Sequence, residues 1–101
     1  MRTGLEVEQL FVRRRGGRLA LLAVLENPAG ARTREETMPP ASDSAGAVEA
    51  LARHLARRGD VDGAPRLRVR IERANGDLED RPDLADRFRK AFEGERAADP
   101  A

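Results

Sequence analysis

The chain has no cysteine, tryptophan or tyrosine, one histidine, one lysine and three phenylalanines in 101 residues. Without cysteine there is no disulfide, no thiolate nucleophile and no Cys-based zinc or iron–sulfur site, and a reducing cytoplasm is the expected compartment. Without Tyr and Trp, most of the side chains on which single-stranded bases stack are missing. No apolar run approaches the roughly 20 residues of a membrane-spanning helix, so no membrane partner is expected. His54 is the sole histidine, which leaves metal sites to carboxylates and makes any nucleophile–base pair depend on one side chain. It follows Arg53 and precedes Leu55, a position at the solvent boundary of a helix.

What is present is charge and alanine. Eighteen arginines and Lys90 balance 18 acidic residues to a net charge of +1. Arginine can be selected for bidentate carboxylate or phosphate contacts, but an Ala/Arg/Gly-rich chain is more simply explained by GC-rich coding. Near-neutrality speaks against a dedicated nucleic-acid binder, whose domain pI normally exceeds about 9. Seventeen alanines inflate the apolar count, and Leu, Ile, Val and Phe sum to only 21 residues, just above the level of about 20% below which a highly charged chain stays disordered. Folding is expected because those residues are grouped periodically.

The periodicities divide the chain into a single α+β domain over residues 1–94, with a disordered tail over 95–101. Leu5, Val7, Leu10, Phe11 and Val12 mark a strand whose alternation slips near Gln9, as a bulge would cause. Leu19 to Leu25 is continuously apolar, as expected of a central strand covered on both sides, or covered on one side and paired with a partner. Gly16-Gly17 between them suits a tight hairpin turn. Residues 13–31 also have the order of a secretion signal, but the apolar run has only seven residues, Glu26 follows it and Glu6 and Glu8 precede it, so a hairpin is the better account. Residues 27–41 form either a long loop or an edge strand at 32–37.

Ser42-Asp43-Ser44 supplies capping oxygens for a helix with Val48, Leu51, Ala52 and Leu55 on one face, ended by a left-handed Gly59. A strand over 66–71 follows, then a turn at Asn75-Gly76-Asp77, which either folds a short strand at Leu78 back on its predecessor or leads out of the sheet. Pro82 opens a second helix with Leu84, Phe88, Ala91 and Phe92 as its stripe and Gly94 as its end. The fold class is therefore α+β: a small, mostly antiparallel sheet in β-β-α-β-α order with two helices packed on one face. The hairpin, helix and following strand resemble in order the β-grasp, ubiquitin-like arrangement. An incomplete β-grasp is thus the alternative, since the chain ends in a helix where a closing strand would be needed and has no C-terminal Gly-Gly.

Complete catalytic patterns are missing. Asp60-Val61-Asp62-Gly63 and Asn75-Gly76-Asp77-Leu78-Glu79-Asp80 resemble oxygen-rich calcium loops but lack the ligand spacing, and turn chemistry explains both. Glu26, Glu49 and Glu72 would make a nuclease-like carboxylate site only if the fold brought them together. Gly16-Gly17 lacks the phosphate-loop pattern. The expectation is a non-catalytic domain without metal, cofactor or small-molecule substrate.

The arginines remain. Alternation in Arg66-Leu67-Arg68-Val69-Arg70-Ile71 sets three guanidinium groups opposite three apolar residues, and Arg13, Arg15 and Arg18 flank the hairpin turn. Arg13, Arg15, Arg18, Arg66, Arg68 and Arg70 are the candidate binding residues, as one basic face if both segments share a sheet. The plainer alternative is an exposed strand face with Arg stems over apolar neighbours and their heads paired to Glu6, Glu8 or Glu72. Two functions follow: an interaction domain that engages a protein partner or itself, and binding of a nucleic-acid backbone through the arginines.

Overall fold

The computed structural model describes residues 3–98. Eight elements follow one another: β1 (Leu5–Arg15), β2 (Arg18–Glu26), β3 (Arg32–Thr37), α1 (Ser44–Arg57), β4 (Val61–Gly63), β5 (Arg68–Glu72), β6 (Leu78–Asp80) and α2 (Pro82–Ala98). The sheet runs β3-β2-β1-β5-β6, and β4 pairs with the start of β1. The β1–β2, β2–β3 and β5–β6 pairs are antiparallel, whereas β4 and β5 lie parallel to β1, so the sheet is mixed. Both helices cover the same side, and α2 ends the described chain after the short strand β6.

Length makes β1 the organiser. One of its edges is taken by β2, while the other is shared between β4 at Leu5–Glu6 and β5 at Gln9–Val12. The register between β1 and β2 shifts between Val7 and Gln9, where the sequence alternation slips. This bulge lets Val7 and Leu10, three residues apart, both face the helices. The two-residue turn needs positive φ at both centres, and Gly16 (56°) and Gly17 (80°) supply it.

The core joins Val7, Leu10, Val12, Leu21, Leu25 and Val69 of the sheet to Val48, Leu51 and Leu55 of α1 and Leu84, Phe88 and Phe92 of α2. No buried polar or charged residue interrupts it among the described residues. Phe88 and Phe92, one turn apart, stack with centroids 6.2 Å from each other. At the start of α1, Asp43 Oδ1 accepts the Gly46 N–H at 2.6 Å. Gly4 lets the chain pass against the segment entering β4: a Cβ there would sit 2.7 Å from the Asp60 carbonyl oxygen.

The open choice over 27–41 falls to the edge strand, since β3 pairs along β2 from Arg32 to Thr37. Three expectations need correction. The third long strand begins at Arg68; Arg66 lies in the preceding turn, because Pro65 has no N–H to offer a ladder. Gly59 does not adopt a left-handed cap, and α1 ends through the extended Arg58, whose N–H bonds the Leu55 carbonyl. Helix α2 continues through Gly94 to Ala98, so the tail expected from residue 95 is helical for four residues, and residues 99–101 lie outside the described residues. The physical reason is Arg96, which crosses the Phe92 ring at 4.7 Å and donates to the carbonyls of Ala56 (2.9 Å), Arg58 (3.2 Å) and Val61. It thereby satisfies backbone acceptors at and just beyond the end of α1.

Candidate functional site

Both helices lie on one side, so the residues of opposite phase form a second, uncovered face. Ladder register sets Glu36, Leu22, Phe11, Arg70 and Asp80 in one row across all five strands of the main path, flanked by a row with Arg34, Val24, Gln9 and Arg68. The face holds a shallow depression of about 670 Å³, floored by Phe11, Leu22, Val24 and Leu78. Leu78 is 46% exposed, one of two large apolar residues so placed among the described residues. These side chains explain the unbroken apolar run of β2: Leu19, Leu21, Ala23 and Leu25 enter the core, and Leu22 and Val24 floor the open face.

Most of the charge on this face is paired within the chain. Arg68 donates to Asp80 from Nε and Nη2, at 2.7 and 2.9 Å. Arg32 does the same to Glu8, the bulged residue, at 2.8 and 3.1 Å. Arg13 donates to Glu36 at 2.9 Å, and Arg15 lies 3.5 Å from the same carboxylate. Arg70 lies over the Phe11 ring at 4.7 Å and donates to Gln9. The hydrogen bond from Arg68 is the main cause holding the Asp80 carboxyl below its ordinary pKa, and that from Arg32 does the same for Glu8.

Three of the six candidate arginines, Arg13, Arg68 and Arg70, thus meet on the open face, with Arg15 at the end of the same strand. Arg18 lies at the hairpin turn and Arg66 at the opposite end of the sheet, 3.4 Å from Glu6, so these two do not join the group. The face is a mosaic of arginine–carboxylate pairs around an apolar floor, in place of a contiguous cationic surface. Two donors, Nε of Arg13 and of Arg70, are buried beneath it without a protein acceptor.

Other candidate residues have structural occupations. His54 is exposed on α1. Asp62 accepts the backbone N–H of Gly4 at 2.9 Å, and Asp60 binds Arg58 at 2.8 Å. Glu26, Glu49 and Glu72 are not brought into one cluster among the described residues; Glu49 faces Arg87 and Glu26 faces Arg32. The sequence reading leaves the apolar run over 19–25 open to a partner on one side, and the outward Leu22 and Val24 are that spare apolar surface of the first hairpin; what it does not single out is Leu78, brought to the same face by the pairing of β6 with β5.

The fold and face define a class: a small α+β domain with one helix-covered and one open sheet face. Comparison with protein-family models, with curated proteins and with solved structures finds no match to this chain.

Proposed function

We propose that this chain is a non-catalytic interaction module of the cytoplasm that binds a protein partner, or a second copy of itself, through the open sheet face. The observation that carries this reading is the apolar floor on the sheet face away from the helices, with Phe11 and Leu22 half-buried, Val24 buried and Leu78 exposed on the edge strand β6, bounded by charged side chains. An apolar centre within a polar rim is the usual anatomy of a protein interface. Guanidinium groups already held by carboxylates are poor phosphate ligands, since each must be released before it can bind. Arg14 and Arg18 are exposed at the hairpin without a carboxylate partner among the described residues, and they favour the second reading, contact with a nucleic-acid backbone.

The test is capture of binding partners by the tagged chain from host lysate, with and without nuclease, with a chain carrying Leu22→Ser and Leu78→Ser as the comparison. Loss of a captured protein by that variant, with its melting cooperative and its circular dichroism unchanged, supports the reading. Capture that is equal for both chains, or recovery of nucleic acid alone that vanishes with salt, overturns it.

A further inference from the structure

Five charged residues line the depression, and three of them, Glu8, Arg13 and Arg32, are held in ion pairs. The remaining two, Arg34 and Glu72, are exposed and have no ion-pair partner among the described residues. They are of opposite sign, and they stand on opposite sides of the apolar floor. Arg34 is level with Val24 and Gln9. Glu72 follows Ile71, the partner of Val12, and is therefore level with Arg13, four residues further along β1. Three strand spacings separate β3 from β5, so the two charges are offset by roughly 14 Å across the sheet and roughly 14 Å along it. The midpoint between them falls in the row of Phe11 and Leu22, between these directly paired residues.

We infer that the open face pairs with a second copy of the same face, about a two-fold axis that lies in the interface and passes between Phe11 and Leu22. The inference rests on the interaction-module reading and specifies its partner. A two-fold axis that exchanges the Arg34 and Glu72 positions brings Arg34 of each copy against Glu72 of the other, which completes both missing ion pairs and buries the Phe11 and Leu22 centre against that of the second copy. Because the offsets along and across the strands are nearly equal, the same axis crosses the strands of the two sheets at roughly 90°, the orthogonal class of sheet packing. A single heterologous partner would need no such balance, whereas one positive and one negative group placed symmetrically about an apolar centre is what self-complementarity demands. The face is small. Four strand spacings by about 20 Å of strand give a projected area of about 400 Å² per copy, below the ~800 Å² typical of stable pairs, so the dimer is weak and concentration-dependent.

The experiment is sedimentation velocity on the full chain over a series from about 1 μM to about 1 mM, the range in which so small an interface assembles. The wild-type chain should pass from monomer to dimer. Arg34→Glu and Glu72→Arg should each raise the dissociation constant about tenfold or more with an unchanged melting temperature, and an equimolar mixture of the two variants should restore dimers, since each then offers the charge the other lacks. A wild-type chain that stays monomeric, a dimer indifferent to either variant, or a mixture that fails to recover would overturn the inference. If the wild-type chain is monomeric and Leu22→Ser with Leu78→Ser still abolishes capture of another protein, the interaction-module reading stands and only the self-pairing falls.

Discussion

The two faces of the sheet are built from the same strands by different means. On the covered face Leu10 and Leu21 are 0% exposed and Val12 1%, against α1 and α2. On the open face Phe11 and Leu22 are half-buried, with the guanidinium of Arg70 over the Phe11 ring and arginine–carboxylate pairs around them. Stability therefore resides on one side, where removal from water is complete, and the other side is free to vary its contacts at little cost to the fold.

Truncation tests this division most directly. Leu10→Ala should cost about 2–5 kcal/mol, because a side chain with no exposure leaves a cavity between β1 and the helices. Its neighbour Phe11→Ala should cost about 1 kcal/mol, since the half-exposed ring forfeits only part of its burial and the contact with Arg70. Chemical denaturation of both variants measures the contrast. Equal losses would mean that the open face is as much a core as the covered one.

A smaller effect belongs to the edges of the covered side. Arg96→Ala should lower stability by about 1–2 kcal/mol, because the carbonyls of Ala56, Arg58 and Val61 lose a charged donor. Arg96→Lys should recover only part of this, since an ammonium lacks the planar fork that reaches several acceptors at once. Asp43→Ala, which removes the acceptor for the Gly46 N–H at the other end of α1, should cost about 1 kcal/mol. Thermal melts of the three variants rank them, and an Arg96→Ala chain as stable as wild type would show that the last turn of α2 adds nothing to the fold.

The legibility of the sequence followed these same divisions. Val48, Leu51 and Leu55 announced α1, and Gly16-Gly17 announced the hairpin, because helical period and turn chemistry are local properties. The alternation slip near Gln9 even located the bulge. Helix α2 was ended too early because Gly94 is a local stop signal, whereas Arg96 is held by carbonyls 35 to 40 residues away in the chain. Edge strand β3, Arg-Thr-Arg-Glu-Glu-Thr, has no apolar alternation to reveal it; its ladder to β2 and the grip of Arg58 on Glu35 keep it in the sheet. The open face was half legible. The arginines were visible, but their carboxylate partners come from other strands, and the pairing of Arg68 with Asp80 depends on β6 folding back along β5.

The smallest expected difference between the faces is electrostatic. Hydrogen bonds from Arg68, Arg32 and Arg58 are the leading causes that hold Asp80, Glu8 and Asp60 below their ordinary pKa values. A carboxyl whose folded pKa is depressed contributes stability above its unfolded pKa, near 4 for Asp and Glu, and that contribution is lost as pH falls through the lower folded value. Melting temperature should thus be level above about pH 5 and fall from about pH 4 downwards. The two sides should respond differently to salt. The Arg68 and Arg32 side chains of the open face are 58% and 57% exposed, whereas Arg58, which bridges Asp60 and Glu35 at the end of α1, is 28% exposed. At about 1 M salt, where the screening length is about 3 Å, the pairs of the open face should contribute little to the acid slope and Arg58 should retain more of its share. Melting curves from pH 3 to 6 for Arg68→Gln and Arg58→Gln, at low and high salt, read this directly. Salt should abolish the difference between Arg68→Gln and wild type but leave part of that for Arg58→Gln. An equal response of the two variants would place both ion-pair groups in the same dielectric environment and remove the electrostatic half of the contrast, leaving apolar burial alone to distinguish the faces.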